Sequence, residues 1–86
     1  MNIVCAESVF KGKEIFDEFG DCTVIPDKKI KNDDLKKTDA LIIRSGTIVN
    51  QQLLDKTPVK FVGTATSGID HIDLKWIKKN NIYFKD

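Results

Sequence analysis

Little in this sequence points to metal, redox or disulfide chemistry. Its two cysteines lack Cys-x-x-Cys spacing and its single histidine stands alone, so neither a zinc site nor a disulfide framework is expected. Each cysteine lies in a short apolar run, Ile3-Val4-Cys5 or Cys22-Thr23-Val24-Ile25, and reads as a reduced, small core residue. An excess of charge of one sign is also missing. There are 14 Lys plus Arg against 13 Asp plus Glu, a formal net charge of +1, which excludes a polybasic nucleic-acid protein and an acidic solvating tail. No apolar run approaches the roughly 20 residues that cross a bilayer. The first seven residues carry neither the basic nor the apolar stretch of a signal peptide. The expectation is a cytoplasmic chain with no membrane or nucleic-acid partner and no metal.

What remains is a composition 41% hydrophobic and 31% charged over 86 residues, enough for one modest core and one domain. Five runs read as strands: Ile3-Val4-Cys5, Cys22-Thr23-Val24-Ile25, Ala40-Leu41-Ile42-Ile43, Lys60-Phe61-Val62-Gly63-Thr64 and Ile82-Tyr83-Phe84. The third is continuously apolar, which marks a strand buried on both faces. Helical signals lie between them. Val9, Ile15, Phe16 and Phe19 share one helical face, and Gly20 follows as a left-handed C-cap. Asn32-Asp33-Asp34 predicts a short helix ending near Lys36-Lys37; Asn50 caps residues 51–55, which Pro58 prevents from running on, and Asp73 caps residues 74–79. Alternating strands and helices imply an α/β fold, a flavodoxin-like parallel five-stranded sheet of order 2-1-3-4-5 with helices on both faces. The chain stops directly after its fifth strand, which suggests a piece of something longer.

Ligands of open parallel sheets bind beyond the carboxyl ends of the strands, where strand order reverses. Three segments emerge there: Ala6-Glu7, Arg44-Ser45-Gly46-Thr47 and Ala65-Thr66-Ser67-Gly68. The last two present backbone N–H groups and hydroxyls suited to carboxylate or phosphate oxygens, and Arg44 adds a planar cationic fork. Ser and Gly also populate any tight turn, so the plain structural account stands beside the binding one. Other phosphate and cofactor motifs fail. Ile69-Asp70 follows Gly63–Gly68 where a Walker loop needs Lys-Ser/Thr, and no Gly-x-Gly-x-x-Gly occurs. A phosphoacceptor receiver needs an Asp where strand three ends in Arg44, and a flavin phosphate loop needs more hydroxyls than Glu7-Ser8-Val9-Phe10 supplies. His71, between Asp70 and Ile72, reads first as structural, since no nucleophile stands in a partner position. Lys28-Lys29-Ile30-Lys31 reads as a solvated turn neutralised by Asp33 and Asp34.

Two stretches carry a family likeness. Asp39-Ala40-Leu41-Ile42-Ile43-Arg44-Ser45-Gly46-Thr47-Ile48-Val49-Asn50, followed by Phe61-Val62-Gly63-Thr64-Ala65-Thr66-Ser67-Gly68-Ile69-Asp70-His71-Ile72-Asp73, resembles the amino-terminal region of D-isomer-specific 2-hydroxyacid dehydrogenases, and the likeness covers nearly the whole chain. The resemblance implies the substrate-binding part of an NAD-dependent oxidoreductase acting on a small anionic substrate, a phosphorylated 2-hydroxy acid, with the catalytic residues and the NAD-binding Rossmann domain lying outside residues 1–86. Ser45 and Thr66 match family positions that contact substrate, and Arg44, Ser67 and Gly68 come from the same loops. The family likeness also implies a homodimer. Three other readings stay open at this point: a D-2-hydroxyacid dehydrogenase of the family with another substrate, such as a phosphoglycerate dehydrogenase, a stand-alone flavodoxin-like binding module, and a dimerising structural domain.

Overall fold

A computed structural model describes residues 1–66 and 68–86. Strands β1 (Asn2–Ala6), β2 (Asp21–Ile25), β3 (Ala40–Ile43), β4 (Phe61–Thr64) and β5 (Tyr83–Lys85) form one sheet of order β2-β1-β3-β4-β5. Every pairing is parallel, as crossover connections demand. The Cα radius of gyration is 11.4 Å, close to the roughly 12 Å of a compact chain this long.

Alternation along the strands divides the core in two. Val4, Ala6, Leu41, Ile43 and Val62 face α2 (Gln51–Leu54), α3 (Leu74–Lys79) and the 3-10 turn Asn32–Leu35, and pack with Leu35, Leu54 and Ile77. Each of the Val, Leu and Ile side chains among them contributes about 1.5–3 kcal/mol by leaving water. Ile3, Cys5, Ala40 and Ile42 point the other way, where α1 (Gly12–Phe16) and the 3-10 turn Asp17–Phe19 provide partial cover through Phe16. Helices therefore lie on both faces, unequally. Beyond α1 an apolar cavity of about 360 Å³ opens, lined by Met1, Phe16, Phe19, Ile42 and Phe61 among others. Both cysteines are buried and reduced.

β3 is buried at all four positions, as its apolar run implies. Two predicted caps are present. Asn50 Oδ1 accepts from Leu53 N at 3.1 Å, and Asp73 Oδ1 accepts from Trp76 N at 3.1 Å. The first helix departs from expectation. Lys11 takes a left-handed conformation (φ 54°), so the helix starts only at Gly12, and it tightens into a 3-10 turn after Phe16. Ile15 and Phe19, expected to be buried, are 52% and 62% exposed because no element covers the sheet beyond α1. Gly20 is no left-handed cap either. Its φ of 155° and ψ of −160° bring the chain against Met1, whose carbonyl oxygen would lie 2.0 Å from a Cβ, and Asp21 N donates to that oxygen at 3.0 Å. The Asn32 helix is a 3-10 turn, closed by Lys31 N donating to Asp34 Oδ2 at 2.9 Å.

Candidate functional site

The strand order reverses between β1 and β3, and the segments following β1, β2, β3 and β4 all emerge at that end of the sheet. The β3 and β4 loops share two anchor points. At their roots Ile43 pairs with Thr64, and Ala65 N donates to the Ile43 carbonyl at 2.9 Å. At their far ends Val49 and Ile72 form an isolated parallel bridge, with Val49 N bonded to the His71 carbonyl and Asp73 N to that of Val49, each at 2.8 Å. Residues 44–48 and the described residues of 65–71 therefore arch side by side between common supports.

Arg44 and Ser45 are exposed at the root of the first arch, Thr66 is half-buried in the second, and Gly68 is exposed. Ser67 lies outside the described residues. The sequence reading missed the residue that holds Thr66. Buried Thr64, the last residue of β4, accepts from Thr66 N at 3.4 Å, and its Oγ1 lies 3.1 Å from Thr66 Oγ1 and 3.4 Å from His71 Nε2. His71 thus meets Thr64 rather than an aspartate. Thr66 Oγ1 donates to the Gly68 carbonyl at 3.5 Å. A bond that long is weak, so this hydroxyl can turn to an incoming oxygen at little cost.

A second cluster, also unforeseen, lies where β1, β2 and β3 end. Asp27, just past β2, accepts from Ser8 N at 3.1 Å through Oδ1 and closely from Ser8 Oγ through Oδ2. The Asp27 carbonyl accepts from the buried Thr47 hydroxyl at 3.1 Å, and Arg44 Nη1 donates to the Ser8 carbonyl at 3.4 Å. Burial pushes the Asp27 carboxyl up. The bonds from Ser8, one from its own backbone and the charge of Arg44 more than offset this and hold it below the usual carboxylate range. The available signal was positional: Asp27 and Gly46-Thr47 each follow the end of a strand that flanks or neighbours β1.

Together the two arches bring the exposed Ser45, the Thr66 hydroxyl and one cation, Arg44, to the same end of the sheet, while the donors around Asp27 are spent on it. The β1–α1 connection has a single glycine, Gly12, whose missing Cβ leaves room for Cys5: a Cβ there would lie 2.3 Å from Cys5 Sγ. Among the described residues no group of three or more His, Cys, Asp or Glu could hold a metal ion, and no helix is long and apolar enough to cross a membrane.

The family model described as "D-isomer specific 2-hydroxyacid dehydrogenase, catalytic domain" matches residues 4–85. The erythronate-4-phosphate dehydrogenase of Salmonella arizonae is 43% identical over 84 residues, 98% of this chain and 22% of that protein. The enzyme of the same name from Salmonella paratyphi B is 42% identical over the same shares. The chain thus spans about a fifth of the length of these relatives. Among solved structures, the NAD+-bound 3-phosphoglycerate dehydrogenase of Entamoeba histolytica superposes with a TM-score of 0.79 at 26% identity, covering 98% of this chain and 32% of that one. A Polaromonas protein described as a putative D-isomer specific 2-hydroxyacid dehydrogenase shares the fold, with a TM-score of 0.80 at 14% identity over 96% of this chain and 28% of that one.

Proposed function

Since the chain belongs to the D-isomer specific 2-hydroxyacid dehydrogenase family, we propose that it is the substrate-holding part of an NAD-dependent oxidoreductase that oxidises 4-phospho-D-erythronate at C2, a step toward pyridoxal 5′-phosphate. NAD, held by polypeptide outside these residues, supplies the hydride acceptor. The choice of acid rests on the 43% identity over 98% of the chain to a protein of that activity. The observation that carries the binding role is the pair of arches braced at both ends by β3–β4 pairing and by the Val49–Ile72 bridge.

Within this reading, the hydroxyls of Ser45 and Thr66 hydrogen-bond the substrate's anionic oxygens, and Arg44, Ser67 and Gly68 are further substrate-binding residues. Thr64 keeps Thr66 aimed. These groups bind and orient, which can lower a barrier by several kcal/mol, but they neither take the C2 hydroxyl proton nor accept a hydride. The residues here alone are therefore expected to give no turnover. A homodimer in the cytoplasm accompanies the proposal, with light scattering on the complete polypeptide as its check.

The test is NADH formation from 4-phospho-D-erythronate by the complete polypeptide, with the 86-residue chain as comparison. Thr66→Val and Ser45→Ala should each weaken substrate binding by about 1–3 kcal/mol. Unchanged kinetics in both variants would move the pocket to other loops, and turnover by the 86 residues alone would overturn the division of labour.

A further inference from the structure

The β3 arch, which carries Arg44 and Ser45, is held at its ends by β3–β4 pairing and the Val49–Ile72 bridge. Between those ends it is held from the segment just past β2. Asp27 receives the Thr47 hydroxyl on its carbonyl at 3.1 Å. Its carboxylate lies against Gly46, where a Cβ would be 2.8 Å from Oδ2 and 3.1 Å from the Asp27 Cβ. The same carboxylate takes both the amide and the hydroxyl of Ser8, and Ser8 in turn accepts from Arg44 Nη1 at 3.4 Å. One half-buried side chain thus touches the segments after β1 and β3 together. Only a residue without a side chain at position 46 leaves room for it.

We propose that Asp27 is a positioning residue for substrate: by gripping Ser8 and seating Gly46, it sets the height and angle at which Arg44 and Ser45 meet the anion. This rests on the reading that substrate lies at the β3 and β4 arches. Asp27 itself does not touch substrate. Its negative charge would repel an anion if it pointed into the mouth, and its engagement with Ser8 turns both oxygens to internal donors.

The experiment is steady-state kinetics of the complete polypeptide with 4-phospho-D-erythronate and NAD. Asp27→Asn keeps the shape and removes the charge-assisted bonds, whereas Gly46→Ala pushes the carboxylate off Ser8 from the other side. Each should raise the substrate KM about tenfold while kcat changes less than about twofold and the KM for NAD stays put, since misplacing one donor costs substrate binding first. The two positions should be coupled. Added to Asp27→Ala, Gly46→Ala should change KM by less than about twofold, because the clashing carboxylate is gone. Ser8→Ala, which removes one donor and disturbs no packing, gives the same direction at about threefold and serves if the Asp27 variants fold poorly.

A residue of purely structural importance would lower the unfolding midpoint and leave the KM pattern and the coupling untouched. If Ser45→Ala raises KM while Asp27→Asn, Ser8→Ala and Gly46→Ala do not, the positioning role is wrong and the substrate site stands. If Ser45→Ala and Thr66→Val are also silent, the site itself is misplaced and the role of Asp27 falls with it.

Discussion

Gly12 opens α1, and a glycine-to-alanine change in a helix ordinarily stabilises by up to about 1 kcal/mol. Here the sign should reverse. The added Cβ would sit 2.3 Å from Cys5 Sγ and 3.3 Å from Val9 Cγ1, against the roughly 3.5–4 Å that such contacts favour. Cys5 cannot step aside easily: it is 0% exposed in the middle of β1, with Cys22 beside it on the same face. Overpacking of this kind costs about 1–3 kcal/mol, so Gly12→Ala should lose about 1–2 kcal/mol net once helix propensity is credited. Cys5→Ala removes the offending sulfur. In that background Gly12→Ala should become neutral or stabilising, because the new methyl occupies space that Sγ left. Urea unfolding at constant m reads the four members of the cycle. A Gly12→Ala chain more stable than its parent, with Cys5 in place, would refute the packing argument.

Two further outcomes follow from charge and burial. Asp27 is held below its ordinary carboxylate value in the fold, so its contribution is fully present above the unfolded value of about 3.9 and is lost as pH falls through the lower folded one. Arg44 supplies the charge that acts on it. The parent chain should therefore lose urea stability below about pH 4 more steeply than Asp27→Asn; parallel acid limbs for the two would contradict this. Burial, then Cys22 and then Asp27, pushes the Cys5 thiol up to about 11. At neutral pH fewer than about one molecule in a thousand carries the thiolate, so iodoacetamide should label Cys5 only at the rate of unfolding. Prompt labelling of Cys5 in the native chain, mapped by mass spectrometry, would show that the burial is not real in solution.

Local chemistry made the sheet and two of the caps legible. Ala40–Ile43 could only be an interior strand, and Asn50 and Asp73 sit one residue before segments that need an acceptor. The stretch from Val9 to Phe19 misled because its period looks helical while Lys11 turns left-handed and nothing covers Ile15 or Phe19. Periodicity reports which residues could share a face, not whether a partner exists for that face. β5 starts at Tyr83 rather than Ile82, because it is Tyr83 that pairs with Phe61. For the candidate site, strand ends pointed to Arg44, Ser45 and Thr66, and these follow β3 and β4 in the structure. Asp27 escaped notice because its partners Ser8 and Thr47 are 19 and 20 residues away, and only the placing of β2 and β3 on either side of β1 brings them together.

The thin cover over Ile3, Ala40 and Ile42 matters for anyone handling this 86-residue chain. Fluorescent dyes such as ANS, used to diagnose loosely packed acid states, bind wherever apolar surface is wet, and Met1, Phe19 and Phe61 line such a surface in the ordered fold. A bright dye signal from the 86-residue chain would thus report its native architecture, so loss of order should be followed instead by the near-ultraviolet signal of Trp76 and the stacked Phe61–Tyr83 pair.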